Sequence, residues 1–127
     1  MTRRRVLLVG LDPGVVDYGR LPGLTHELLR AAIDAAKAAV NARGYDAELC
    51  LIDTGATAER TLAAALAGAA WDCVLIGAGV RASPDHFRLF ERLINVVHHQ
   101  APHAHICFNT NPADSAEAVA RWVSPDT

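Results

Sequence analysis

Apolar residues along this chain are grouped into four short runs, and a segment with helical spacing follows each run. The runs are Arg5–Leu11, Ala47–Ile52, Cys73–Ile76 and His105–Phe108. They are rich in apolar residues and do not alternate regularly with polar positions, which is typical of parallel strands covered on both faces. The pattern therefore predicts four buried strands.

The first two segments between the runs predict helices with recognisable ends. Leu29, Ile33, Ala36 and Val40 recur at helical spacing, with Thr25 as the N-cap and Gly44 at the C-terminal end. A second helix is predicted over residues 57–68.

The last two helices are predicted from proline-containing starts. Ser83-Pro84 opens the third helix, and its apolar stripe is Phe87, Phe90, Ile94 and Val97. Asn111-Pro112 opens the fourth, which carries Val119, Ala120 and Val123.

This alternation of strands and helices predicts an α/β protein. We expect residues 1–127 to form a single three-layer α/β/α domain with a four-stranded parallel sheet. The arrangement resembles the flavodoxin-like and receiver-like superfold, and that resemblance implies the strand order 2-1-3-4. It is a resemblance to an architecture and to no specific family.

Composition narrows the class of protein. The 127 residues carry a net charge of −2, so no global charge attracts nucleic acid or an anionic membrane. Arg3, Arg4 and Arg5 form a basic run that is expected to lead into the first strand. The apolar run that follows is too short for a signal peptide or a spanning helix, which favours a cytoplasmic protein.

The cysteines and histidines indicate neither a reactive thiol nor a metal site. Cys50, Cys73 and Cys107 each lie in an apolar run, which predicts reduced, buried thiols. Four histidines lie between residues 98 and 105, but their spacing fits no zinc pattern and they precede the fourth strand. We therefore predict no metal site, and the sequence identifies no cofactor.

The segment from Asp12 to Leu24 is unusually long for a connection between a strand and a helix, which commonly takes about 2–6 residues. In parallel sheets, ligands bind beyond the carboxyl ends of the strands, where this segment lies. We expect loop 12–24 to cover a pocket and to present Asp17, Tyr18 and Arg20 over the sheet edge. The alternative is a loop that packs on a neighbouring subunit.

A glycine motif follows the third strand. Residues 77–82, GAGVRA, match the G-x-G-x-x-[GA] pattern of dinucleotide sites, but no acidic residue ends the next strand. Two other interpretations stay open: the glycines simply permit tight turns, or Arg81 and the backbone near Ser83 bind an anion. His86, close by, is a candidate general base.

Acidic and amide side chains follow the other strands. Asp12 and Asp53 end the first and second strands, and Asn109 follows the fourth. The carboxylates are candidates for acid–base chemistry, with turn capping as the alternative for Asp12. A receiver's phosphoacceptor aspartate is missing, because Gly77 follows the third strand.

The leading hypothesis is a protein that binds a polar, anionic small molecule at the carboxyl ends of the strands. The predicted ligand-binding residues are Arg20, Asp53, Gly77, Gly79, Arg81, Ser83 and Asn109, and the predicted catalytic residues are Asp12 and Tyr18. The alternative is a pseudo-receiver-like interaction module without catalysis. Tyr18-Gly19-Arg20 also resembles the mobile catalytic loop of type II dehydroquinases, which implies a lyase as a minor alternative. A homodimer is expected, through the apolar third helix.

Overall fold

The centre of the protein, in a computed structural model that describes residues 2–126, is a four-stranded parallel sheet in the order β2-β1-β3-β4. The strands are β1 (Arg5–Leu11), β2 (Asp46–Ile52), β3 (Cys73–Ile76) and β4 (His105–Phe108). The predicted strands, their parallel pairing and the order 2-1-3-4 are confirmed. Residues 1 and 127, the ends of the predicted domain, lie outside the described residues.

Helices cover both faces of this sheet. They are α1 (His26–Ala42), α2 (Ala58–Ala67), the single turn α3 (Ala78–Arg81), α4 (Phe87–Gln100) and α5 (Ser115–Ala120). Neighbouring residues of β1 point to opposite faces: Leu8 joins the core formed with α1 and α5, whereas Val9 joins the core formed with α2 and α4. The continuous apolar runs are explained by these two buried faces.

The predicted helix ends are confirmed at both termini of α1. The Thr25 hydroxyl accepts a hydrogen bond from the Leu28 backbone N–H at 3.1 Å. At the other end, Gly44 has a φ of 101°, the left-handed conformation that glycine adopts most easily. Asn111 likewise caps the turn at Pro112–Asp114 that leads into α5, as predicted.

The prediction for the third helix is confirmed in its start and wrong at one position of its apolar stripe. Ser83 caps a 3-10 turn at Pro84–His86 that leads into α4, and the one-turn helix α3 occupies part of the glycine motif. Val97 is buried, and Phe90 and Ile94 pack against the core beside the buried Leu89 and Leu93. Phe87, the first residue of the predicted stripe, is 64% exposed.

The cysteines are buried and unpaired, as the sequence predicts. Burial raises the pKa of Cys50 to about 11. The sulfurs of Cys73 and Cys107 lie 3.5 Å apart, and their hydrogen bond together with burial raises the pKa of Cys73. Neither Cys50 nor Cys73 is therefore set up as a nucleophile at neutral pH.

Among residues 2–126, no helix combines the length and the apolar character needed to cross a bilayer.

Replacing Tyr45 with phenylalanine is expected to lower the free energy of unfolding by about 1–2 kcal/mol. The buried Tyr45 hydroxyl donates to the Val123 carbonyl at 2.6 Å, and phenylalanine leaves that carbonyl without its partner. Urea denaturation of the two proteins measures the difference. An unchanged midpoint and slope would show that the hydrogen bond contributes nothing.

Candidate functional site

A crevice of about 680 Å³ lies at the carboxyl ends of the strands, between the sheet and the first half of α1. Loop 12–24 borders it on one side, and the segments that follow β3 and β4 border it on the other. This is the position predicted from the order of the strands.

The floor of the crevice is aliphatic. Its side chains come from the sheet and from α1: Leu8, Leu49, Leu51, Leu75, Leu29, Ile33 and Ala36. Gly10 lies among them on β1, paired with Leu51 of β2. A Cβ atom added at Gly10 would meet no atom within 4 Å, so this glycine leaves open a space that a larger residue would fill.

Loop 12–24 is folded by its own hydrogen bonds. It forms 3-10 turns at Pro13–Val15 and Tyr18–Arg20. Carboxylates of Asp12 and Asp17 accept the backbone N–H groups of Gly14 and Gly19, at 2.8 and 3.1 Å. The Tyr18 hydroxyl donates to the Pro13 carbonyl at 2.7 Å. The length of the loop is therefore used to build an ordered cover.

An ion pair ties this loop to the far side of the crevice. The Arg20 guanidinium lies 2.6 Å from the Asp85 carboxylate, in the turn that precedes α4. Asp17 is a second, more distant partner at 3.5 Å. The hydrogen bond and the charge of Asp85 raise the pKa of Arg20. Arg20 thus lines the crevice as predicted, but with its charge already paired.

Arg81 does not line the crevice. Its guanidinium donates to the Asn109 carbonyl and lies over the Phe108 ring, 5.2 Å from the ring centre. The predicted anion-binding pair of Arg20 and Arg81 is therefore not brought together, because each guanidinium has a partner elsewhere.

The candidate acid–base residues also lie outside the crevice lining. Asp12 and Asp53 both cap turns, Asp53 through Gly55 N–H at 3.1 Å and the Thr57 hydroxyl. Tyr18 does not reach the crevice either. Desolvation, assisted by the nearby carboxylates of Glu27 and Asp12, raises the pKa of Tyr18. Asp12 therefore caps a turn, which was the alternative to acid–base chemistry in the sequence analysis.

Asn109 lines the crevice and also holds its walls together. Only 5% of this residue is exposed. Its Oδ1 accepts the Ala78 N–H at 2.8 Å, and its Nδ2 donates to the Ser115 hydroxyl at 3.0 Å. One amide therefore joins the end of β4 to the beginnings of α3 and α5. The sequence indicated Asn109 as a ligand contact and missed this bridging role.

Gly77 and Gly79 border the crevice, but not as a dinucleotide fingerprint. A Cβ on Gly77 would lie 3.2 Å from the Val9 carbonyl oxygen, so glycine lets β3 end close against β1. The motif then forms only the single turn α3, whereas a dinucleotide site needs a long helix there.

Hydroxyl, amide and imidazole groups make up much of the rim. They belong to Thr54, Ser83, His86, Asn109, Thr110 and Asn111. The Nδ1 atom of His86 lies 3.1 Å from the Gly79 carbonyl, which holds the ring at the mouth of the crevice. Within residues 2–126, no group of three or more His, Cys, Asp or Glu side chains is arranged to hold a metal ion.

Protein-family models, curated proteins and solved structures gave no match to this chain. The structure defines it as an α/β protein with a parallel sheet and a crevice at the carboxyl ends of the strands.

Replacing Asp114 with asparagine is expected to reduce the loss of stability in acid. The Asp114 carboxylate accepts hydrogen bonds from the Thr110 hydroxyl and N–H and from Asn111, which lower its pKa. A lowered pKa contributes stability above the ordinary carboxyl range of about 4, and that contribution disappears as the pH falls through the lowered value.

Thermal melting between pH 6 and 2.5 measures this effect. Asp34→Asn, on the outer face of α1, is the matched control. If the melting temperature of Asp114→Asn falls as steeply with pH as that of the unaltered protein, the carboxylate has no such role.

Proposed function

We propose that this protein binds a small organic molecule in the crevice, beneath loop 12–24. The observation that carries the proposal is an open aliphatic space, left by Gly10 in a strand whose other residues are large. Its volume of about 680 Å³ falls within the range of about 300–1,000 Å³ that is usual for small-molecule sites. An unfilled apolar space lowers the free energy of unfolding. A ligand that fills this space would recover part of the lost stability.

The sequence hypothesis enters this proposal in a modified form. Arg20, Gly77, Gly79, Ser83 and Asn109 line the crevice and are retained as ligand-contacting residues. An anionic ligand can pair with the Arg20 guanidinium only by displacing the Asp85 carboxylate from it. No reaction is proposed, since Asp12 and Tyr18 do not line the crevice, and this also removes the support for a dehydroquinase-like lyase. The buried thiols favour the cytoplasmic location.

A thermal-shift screen followed by amide NMR tests the proposal. The screen covers short aliphatic alcohols, amides, acids and amines, nucleotides, sugar phosphates and shikimate-type acids. A true ligand raises the melting temperature by mass action. It should also move the amide signals of Gly10, Gly79 and Thr110, while those of Ala64 and Asn95 on the opposite face stay in place. A flat screen, or shifts only on the α2–α4 face, would overturn the proposal.

The second candidate is the interaction module, and the exposure of three aromatic side chains favours it. Phe87, Phe108 and Trp122 are 64, 37 and 55% exposed. Phe108 lies on the edge strand β4, where it packs edge-on against Phe90 with ring centres 5.7 Å apart. Under this hypothesis, the protein forms a dimer at micromolar concentration in sedimentation experiments, and Phe87→Ser together with Trp122→Ser weakens it. The same pair of changes should leave small-molecule binding intact.

A further inference from the structure

The lining of the crevice specifies what kind of molecule it accepts. We infer that the ligand is an amphiphile with an aliphatic body and an uncharged, hydrogen-bonding head group. This inference rests on the proposed function and deepens it by naming the ligand class.

The aliphatic floor selects the body of the ligand. Leu8, Leu49 and Ile33 offer neither hydrogen-bond donors nor acceptors to a group placed between them. A sugar or polyol there would lose its water without a replacement, which opposes binding strongly. The described lining also contains no phenylalanine, tyrosine or tryptophan ring on which a nucleotide base could stack. Methylene groups meet none of these penalties.

The rim selects the head group through its charge. Asp17 and Asp85 both line the crevice and share one guanidinium, that of Arg20, so these three groups carry one net negative charge. An anionic head would meet this excess charge and would have to displace Asp85 from Arg20. An amide or hydroxyl head group can instead hydrogen-bond to the Thr54 hydroxyl or the His86 imidazole. Its binding leaves the ion pair between Arg20 and Asp85 intact.

The side chains of loop 12–24 provide a separate observation. Val15 and Leu21 line the crevice although they are 40 and 44% exposed. These aliphatic groups extend the apolar floor outward to the mouth. A chain that enters past them stays in contact with apolar surface along its whole length, whereas a compact polar ligand would leave them in water.

Calorimetric titration with homologous compounds tests the inference. Primary alkanamides of four to nine carbons, below their aggregation limits, are expected to bind about fourfold more tightly per added methylene until the floor is full. Ile33→Ala, which shortens a floor side chain, should move the plateau to longer chains. Ile94→Ala, on the opposite face of the sheet, is the matched control and should leave it unchanged.

Head-group variants with a common eight-carbon body complete the experiment. Octanamide is expected to bind about tenfold more tightly than octanoate at pH 7. Tighter binding of octanoate, or an affinity independent of chain length, would overturn this ligand class while leaving small-molecule binding in place. If only sugar phosphates or nucleotides bind, the same conclusion follows.

Two further outcomes concern other occupants. If no compound of any class binds, the proposed function fails together with this inference. If the protein dimerises and the amide signals that broaden are those of the crevice, a second copy covers the apolar floor and the ligand class is wrong.

Discussion

Replacing Gly10 with valine is expected to make the free protein more stable and to abolish ligand binding. Glycine in the interior of a strand is destabilising by roughly 0.5–1 kcal/mol, and valine has one of the highest strand propensities. A Cβ at this position meets nothing within 4 Å, so the valine methyl groups enter open space beside Leu51. The free energy of unfolding should therefore rise by about 1 kcal/mol, and the melting temperature by about 4 °C.

The same methyl groups occupy the volume that the ligand needs. We expect affinity for any crevice ligand to fall by about 100-fold or more, because overpacking a filled site costs about 1–3 kcal/mol or more. Chemical denaturation and calorimetric titration measure the two effects. Gly55→Val is the control, since Gly55 lies in an exposed turn, has equal open space and does not line the crevice.

A stabilised Gly10→Val protein that still binds its ligand would place the ligand elsewhere. A destabilised one would mean that the space beside Gly10 is not open. Higher stability together with lost binding is the pattern expected where function maintains a defect in packing.

Replacing Asn109 with alanine is expected to lower the free energy of unfolding by about 2–3 kcal/mol. The change removes two hydrogen bonds of a residue that is almost fully buried, and it leaves the Ala78 N–H without an acceptor. Because these bonds join β4 to α3 and α5, the wall of the crevice should also loosen and ligand affinity should fall.

Urea denaturation and ligand titration of Asn109→Ala test both consequences. Asn95→Ala is the matched control: Asn95 lies exposed on α4, and its side chain donates only to the Glu91 carbonyl of the same helix. Its effect should stay within about 0.5 kcal/mol. An Asn109→Ala protein as stable as this control would mean that the bridging contacts are dispensable.

The fold could be predicted from the sequence because its strands are covered on both faces. A run such as Val6-Leu7-Leu8-Val9 has no polar side to expose, so it indicates a buried parallel strand without further information. Helix capping could be predicted as well, because a cap contacts residues only a few positions away in the sequence. This holds for Thr25, Gly44 and Asn111. The exposure of Phe87 was missed because its spacing from Phe90, Ile94 and Val97 is that of one helix face.

The candidate site was predicted in position but not in chemistry. Arg20 and Arg81 looked like free cations, yet their partners Asp85 and Asn109 are 65 and 28 residues away in sequence. No local pattern links such distant groups. Leu8, Leu49 and Leu75 were assigned to strands, but a sequence does not distinguish a filled core from an open one. Gly10, the one glycine in an aliphatic run, was the available indication of a cavity.

The ion pair between Arg20 and Asp85 makes the entrance sensitive to the surrounding solution. Both side chains are exposed, so dissolved salt screens their attraction. If the crevice binds a ligand as proposed, raising the salt concentration should weaken this contact between loop 12–24 and the turn before α4. The rate of ligand release would then depend on ionic strength.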